Sequence, residues 1–335
     1  MQSGPEEIAE GVRRLHAGRL VAFPTETVYG LGADARSESA VAGVFRAKGR
    51  PAGNPLIVHV SDAAMAGTVV AGWTPEADAL ARAFWPGPLT IVLPRAPWVP
   101  NNVTARGDTV GVRCPDHSLT LALISAFGAP LVGPSANRSG RVSPTTAEHV
   151  RESFDPDLVL VLDGGPCTGG IESTVVDLSE GQARILRPGL ITGEQIGHIL
   201  GLEVGREVGR AGAPQERGAK GVLRSPGLLE QHYAPVAKAV LVSREELDDI
   251  RAKSARLVVI TQAMQGALAS EGEIVLPGDV HGYAAGLYAA LREADAKAGG
   301  QGLIAIVRPT FAGADSNNRG IAEAIMDRLG RATAS

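Results

Sequence analysis

Lys48, Gly49, Arg50 and Pro51 set two cations two residues apart, and Pro51 biases Arg50 toward an extended backbone. With Lys48 extended as well, both side chains leave on one side, a fork and a point charge suited to a triphosphate. A solvated charged turn after a helix would carry the same letters. The run Gly133-Pro134-Ser135-Ala136-Asn137-Arg138-Ser139-Gly140 follows an apolar stretch and gathers hydroxyls, an amide and glycines. Backbone N–H groups and short hydroxyls can line an anion site there, although any loop draws on the same residues. Residues 164–174, Gly-rich and ending Glu172-Ser173-Thr174, read either as a flexible hairpin or as a nest beside a phosphate. Arg113 and Arg187 each end an apolar strand, where a buried cation needs an anion, from a structural carboxylate or from a ligand. Pro24-Thr25-Glu26-Thr27-Val28-Tyr29-Gly30 places two threonines and a glutamate directly after a strand, a usual address for ligands in α/β sheets, or else a capped turn. Together these stretches describe a site for a small polyanion and a polar partner whose nature the spacing does not fix.

Simpler chemistries fall away. The Gly30-Leu31-Gly32 run matches a dinucleotide fingerprint only loosely: Pro24 separates it from the strand, and Arg50 stands where an acid is needed. There is no P-loop motif, and the seven histidines are scattered with no i,i+4 pair, which argues against a dedicated metal cage. A net charge of −4 without Lys/Arg runs argues against stable nucleic-acid binding. Cys114 and Cys167 can build neither a disulfide framework nor a zinc site. With no signal peptide and no run of about 18 apolar residues, a cytoplasmic, membrane-free protein is expected.

Short strands alternate with helices throughout. Strands are expected at 20–23, 56–60, 90–93, 110–113, 130–132, 158–162, 174–178 and 183–186, and helices at 6–17, 39–46, 75–83, 119–127 and 145–154. Residues 205–221 are polar and Gly-rich and read as a linker. Beyond it come strands at 239–242, 257–260, 273–276 and 303–307 and helices at 244–253, 283–296 and 321–329, which fit a small doubly wound sheet. The expected organisation is a first α/β domain at 1–204, a flexible linker at 205–235 and a second α/β domain at 236–335.

The strings FPTETVYGLGADA from Phe23, KGRPAGNPLIVHV from Lys48, FWPGPLTIVL from Phe84, VGVRCPDH from Val110, PSANRSGRVSPTTAEHV from Pro134, ESTVVDL from Glu172 and RPG from Arg187 resemble the YrdC domain, in family order. SPGLLEQHYAP from Ser225, followed by a second α/β domain, resembles the longer Sua5-type members of the Sua5/YciO/YrdC family. The resemblance implies a twisted mixed sheet with helices, then a smaller Rossmann-like domain, with the first domain catalytic and the linker its active-site lid. It also implies a nucleotidyltransferase that converts L-threonine, bicarbonate and ATP to threonylcarbamoyl-AMP and pyrophosphate, the first step toward threonylcarbamoyladenosine in tRNA. Carried over by position, threonine is held by Thr27, His59, Arg113, the Gly133 backbone and Ser173. ATP contacts Arg50, Asn54, Thr109, Ser135, Asn137, Ser143 and Arg187, with Lys48 facing the phosphates and Tyr233 closing over the site. Lys48, Arg50 and Arg187 are the catalytic candidates, Mg2+ is carried by the ATP phosphates without a dedicated protein ligand, and the product passes to the tRNA threonylcarbamoyltransferase machinery. Gly133 where alanine is common, Ser118 where proline often follows the His, and Asp327 where asparagine is frequent depart from the family pattern. Three other readings compete: an RNA-binding module, a carbamoyl-adenylate enzyme of the hydrogenase-maturation type, which carries segments absent here, and a nucleotide-binding paralogue without turnover.

Overall fold

The computed structural model describes residues 3–206, 233–254, 256–263, 272–311 and 315–334. The chain enters through α1 (Pro5–His16), started by Pro5 in its first turn with Glu6 and Glu7 at the positive end of its dipole. β1 (Leu20–Phe23) and β2 (Gly30–Asp34) follow, then α2 (Glu38–Lys48), capped by the Ser37 side chain and ended by Gly49 in the left-handed region. The next elements are β3 (Ile57–His59), α3 (Ala63–Val69), α4 (Pro75–Phe84), β4 (Leu89–Pro94), β5 (Thr109–Arg113), α5 (Ser118–Phe127) and β6 (Leu131–Val132). α6 (Ala147–Arg151), β7 (Val159–Val161), β8 (Thr174–Asp177), β9 (Arg184–Arg187), α7 (Gly193–Leu200) and β10 (Gly205–Arg206) complete the first unit.

Its ten strands form one mixed sheet in the order β10-β9-β8-β4-β5-β3-β6-β2-β1-β7. All four side chains of β1 are buried because both faces of the sheet are covered. Leu20 and Ala22 join the main core, while Val21 and Phe23 pack with Leu15, Leu123 and Ile124 of α1 and α5 on the other face. β2 agrees with the rejection of a dinucleotide-type turn at Gly30 and Gly32. They are strand residues paired antiparallel to β1, and a Cβ on either would stand under 3 Å from the Phe23 ring. A buried aromatic, not a pyrophosphate, occupies the space those glycines leave.

The second unit contains β11 (Lys238–Val242), α8 (Arg244–Lys253), β12 (Leu257–Gln262), β13 (Ile274–Leu276), α9 (Val280–Ala298), β14 (Leu303–Val307) and α10 (Ser316–Ala332). Its four strands are all parallel in the order β11-β14-β12-β13. Leu247 of α8 packs on one face with Val242 and Val259, and α9 and α10 cover the other, so the sheet is wound on both sides as expected, with its last strand inserted beside its first. The expected linker lies mostly outside the described residues, as do residues 225–232 of the Sua5-like string.

The α9/α10 layer is shared: one apolar cluster joins Leu287, Tyr288 and Ile325 to Val28, Val142 and Ile171 of the first unit. Backbone also meets backbone. Gly170 has φ 72°, and a Cβ on it would run into the Ala284 carbonyl oxygen and the Ala285 Cα of α9. Gly170→Ala therefore combines left-handed strain with overpacking and is expected to cost about 2 kcal/mol or more in urea denaturation. Gly181→Ala, at φ 76° with nothing within 4 Å, should show only the strain of about 1 kcal/mol; equal losses for the two would contradict the interface reading.

Candidate active site

The loop after β1 is shaped by its own threonine. Thr25 is buried, and its Oγ1 accepts from the Thr27 and Val28 N–H groups at 3.1 Å each while donating to the Val28 carbonyl at 2.6 Å. This local turn holds the Thr27 hydroxyl 2.8 Å from that of Thr25. Both residues line one cavity, together with Arg50, His59, Arg113, Gly133, Ser135, Ser173, Arg187 and Tyr233.

Three guanidinium groups are the dominant feature. Arg50, Arg113 and Arg187 are only 8%, 4% and 5% exposed. Arg50 donates to the carbonyls of Asn54 (3.1 Å) and Pro55 (2.8 Å), and Arg187 to the carbonyl (3.1 Å) and hydroxyl (3.2 Å) of Ser173. The carbonyl acceptors of Arg50 satisfy N–H groups without cancelling charge, which favours an anion beside it. Burial, aided by the charge of Arg187, pushes Arg50 down to about 9, which leaves it cationic at neutral pH. Arg113 differs: its Nη2 lies 2.7 Å from Glu26 Oε2 and its Nε donates to the Gly87 carbonyl at 3.2 Å. The structural carboxylate weighed for Arg113 is thus present, and the guanidinium still lines the cavity.

His59 ends β3, paired with Arg113 at the end of β5. Its Nδ1 is buried without a hydrogen-bond partner among the described residues. A Cβ on Gly133 would stand 2.6 Å from that atom, so the glycine is what allows the ring its place. Asn54 is likewise buried with both side-chain polar atoms unpartnered. Buried polar groups left in this condition suit partners that a ligand brings.

Other expected residues are placed differently. Lys48 is the last residue of α2, followed by Gly49 at φ 64°, so it is helical and not extended, and it does not share a side with Arg50 by strand geometry. Its Nζ donates to the carbonyls of Ser135 (2.5 Å) and Asn137 (2.6 Å), clasping the 133–140 loop from behind rather than lining the cavity. Asn137 spends its amide on the Arg138 and Arg141 carbonyls at 3.0 and 2.6 Å. Ser143 is buried and donates to Glu172 Oε1 at 2.7 Å. Thr109 opens β5; since Ile57 pairs with Gly111, it lies at the sheet end of Asn54 and Pro55, away from His59 and Arg113. Sequence reasoning missed Glu172 as a wall residue and Thr90, whose hydroxyl is 2.8 Å from that of Ser173. Glu172 was legible only as a glutamate beside a candidate serine.

Residues 13–189 match the family model described as "Telomere recombination", that of Sua5, YciO and YrdC, and residues 191–334 match "Threonylcarbamoyl-AMP synthase, C-terminal domain". The chain belongs to the Sua5/YciO/YrdC family. Threonylcarbamoyl-AMP synthase of Bacillus subtilis is 38% identical over 306 residues, 88% of this chain and 86% of that protein. Its namesake in Pyrococcus abyssi is 42% identical over 250 residues, 73% of this chain and 70% of that one. The crystal structure of P. abyssi Sua5 complexed with L-threonine superposes with a TM-score of 0.86 at 36% identity, covering 99% of this chain and 96% of the other.

Burial and the neighbouring charge of Arg113 lower His59 to about 3, so the folded protein holds it neutral. Below about pH 6.5 the unfolded chain takes up a proton that the folded chain refuses, so stability is complete above that pH and declines as pH falls toward 3. Urea denaturation between pH 7 and 4.5 should therefore show the His59→Gln variant losing less stability with acid than the parent, by up to about 1.4 kcal/mol per pH unit. Parallel profiles would contradict a neutral, buried His59.

Proposed function

We propose that this chain makes threonylcarbamoyl-AMP from L-threonine, bicarbonate and ATP, releasing pyrophosphate. The observation that carries the reading is the gathering of three buried guanidinium groups around one cavity that also presents hydroxyls and an imidazole nitrogen without a partner among the described residues. A family relative of similar fold is solved with threonine.

In this reading Arg113 and Ser173 take the threonine carboxylate, Thr27 and His59 take its polar groups, and Gly133 contributes backbone. Arg50, Asn54, Thr109, Ser135, Ser143 and Arg187 serve ATP, with Tyr233 in the wall. Lys48 and Asn137 serve it indirectly by fixing the loop that carries Ser135. The threonine amine adds to the carbon of bicarbonate, water leaves, and the carbamate oxygen attacks the α-phosphorus as the bond to pyrophosphate breaks. Nucleophile and leaving group are both anionic, so alignment and positive charge do the work and no protein nucleophile is required. Among the described residues no cluster of three His, Cys, Asp or Glu could hold a metal, and Glu172 has both oxygens engaged. Mg2+ accordingly belongs to the nucleotide substrate, on phosphate and water oxygens. We assign catalysis to residues 1–204, connection and closure to 205–235 and support to 236–335. The product is destined for a tRNA threonylcarbamoyltransferase in the cytoplasm; no helix among the described residues is long and apolar enough to cross a membrane.

Mass spectrometry after incubation with bicarbonate, MgATP and either threonine or serine tests the reading: the adenylate should form with threonine in clear preference. Arg50→Ala should cut pyrophosphate release by about 100-fold or more, as removal of a transition-state donor does, with unchanged circular dichroism. Near-parental release by that variant, or equal use of serine, would overturn the assignment.

A further inference from the structure

Glu172 is an acid in the wall of a cavity otherwise built to receive anions, and it is only 7% exposed. Its Oε1 accepts from Ser143 at 2.7 Å. Its Oε2 accepts from the Tyr288 hydroxyl at 2.8 Å and from Arg328 Nε at 3.0 Å, both on helices of the second unit. Arg328 is fully buried and fixed on other sides, with Nη2 donating to the Pro188 carbonyl at 3.0 Å and Nη1 2.7 Å from Asp327. Its guanidinium lies over the Tyr233 ring at 5.5 Å, and that ring stacks on Tyr288 at 5.5 Å. Arg292 of α9 also reaches across, donating to the Val142 carbonyl at 2.7 Å. Contacts from the second unit thus reach three cavity-related residues, Glu172, Tyr233 and Ser143, whose carbonyl accepts from Arg292 Nε at 3.4 Å, besides the Pro188 and Val142 carbonyls.

We propose that Arg328 and Tyr288 are positioning residues for the reaction, and that the second unit supplies through them the counter-charge that keeps Glu172 from opposing the anionic substrates. The inference rests on the functional reading above. A carboxylate without Arg328 would repel the triphosphate and compete with it for Arg187, whereas a paired and hydrogen-bonded one is a fixed, neutralised strut. Burial pushes the Glu172 carboxyl upward, but Arg328, Arg187 and the two hydroxyl donors outweigh it and hold the group at about 2, ionised at every working pH. Removing one partner of such a pair leaves a buried charge uncompensated, which a merely structural strut does not predict to be curable by removing the charge itself.

A double-mutant cycle tests this in the full-length protein. R328M should weaken calorimetric binding of a non-hydrolysable ATP analogue, and lower kcat/KM for pyrophosphate release, by about 10-fold or more, the scale of one lost charged hydrogen bond. E172Q/R328M should recover at least about fivefold of that loss, because the charge needing Arg328 is gone. Y288F, which keeps the ring, should lose about threefold to tenfold, and nothing further when built on E172Q. Additive losses in either cycle, or R328M binding the analogue within about twofold of the parent, would overturn the proposal in favour of packing alone. If R328M does not fold, the Y288F and E172Q pair decides by the same criterion. A parent protein that binds the analogue but releases no pyrophosphate with threonine and bicarbonate overturns the functional reading, while the binding arm still decides the role of Arg328.

Discussion

Everything in the first unit answers to the difficulty of burying guanidinium groups. An unpaired buried cation is costly, and the usual remedy, a carboxylate, would also destroy the site's affinity for anions. Here the remedy is mostly backbone. Carbonyls of Asn54, Pro55, Ser173 and Gly87 receive guanidinium N–H groups, and those of Ser135 and Asn137 receive the Lys48 ammonium. Each guanidinium bond of this kind satisfies a donor and leaves the positive charge in place. Carbonyls can point inward in this way only where strands end or loops leave the ladder, which is why the site collects short strands such as β3 and β6 and the loops that flank them.

That arrangement explains what could be read from the letters and what could not. β1, β3, β5 and β8 announce themselves as apolar runs because both faces of the sheet are covered. The Thr25–Thr27 turn and the cations at strand ends were visible for the same local reason: their neighbours in sequence are their neighbours in space. β2 was hidden because its glycines make room for Phe23, and pattern alone cannot tell an aromatic lid from a phosphate. α6 starts later than its apolar spacing suggested, since Thr146 caps it and leaves Thr145 outside. Lys48 was misjudged because the proline after Arg50 constrains only the residue before it, and Gly49 ends a helix that already contains Lys48.

The longest-range features were beyond sequence reasoning altogether. Tyr288 meets Glu172 across 116 positions and Arg328 meets it across 156. No periodicity encodes that meeting; it follows from the close seating of α9 against the 169–171 loop, where Gly170 admits helix backbone, and of α10 against Thr192, where Gly320 does the same. Glycines at these contacts act as spacers between the units. Their small size fixes how deeply the helices of the second unit sit, and therefore whether Arg328 reaches the cavity wall.

One consequence of burying cations with neutral acceptors reaches the proposed chemistry itself. An amine must lose its proton before it can add to bicarbonate, and free amino groups are largely protonated near neutrality. The environment that favours phosphate disfavours ammonium: burial together with the charge of Arg50 drives Lys48 well below its ordinary range, although its own contacts are all oxygen acceptors. His59, beside Arg113, is driven down in the same way. On the proposed reading, a threonine amine whose carboxylate pairs with Arg113 meets the same two pressures, desolvation and neighbouring positive charge, and both favour loss of its proton to solvent. A single electrostatic design then serves two steps. In the proposed reaction it would recruit the polyanion whose phosphorus is attacked and favour the free amine that begins the attack.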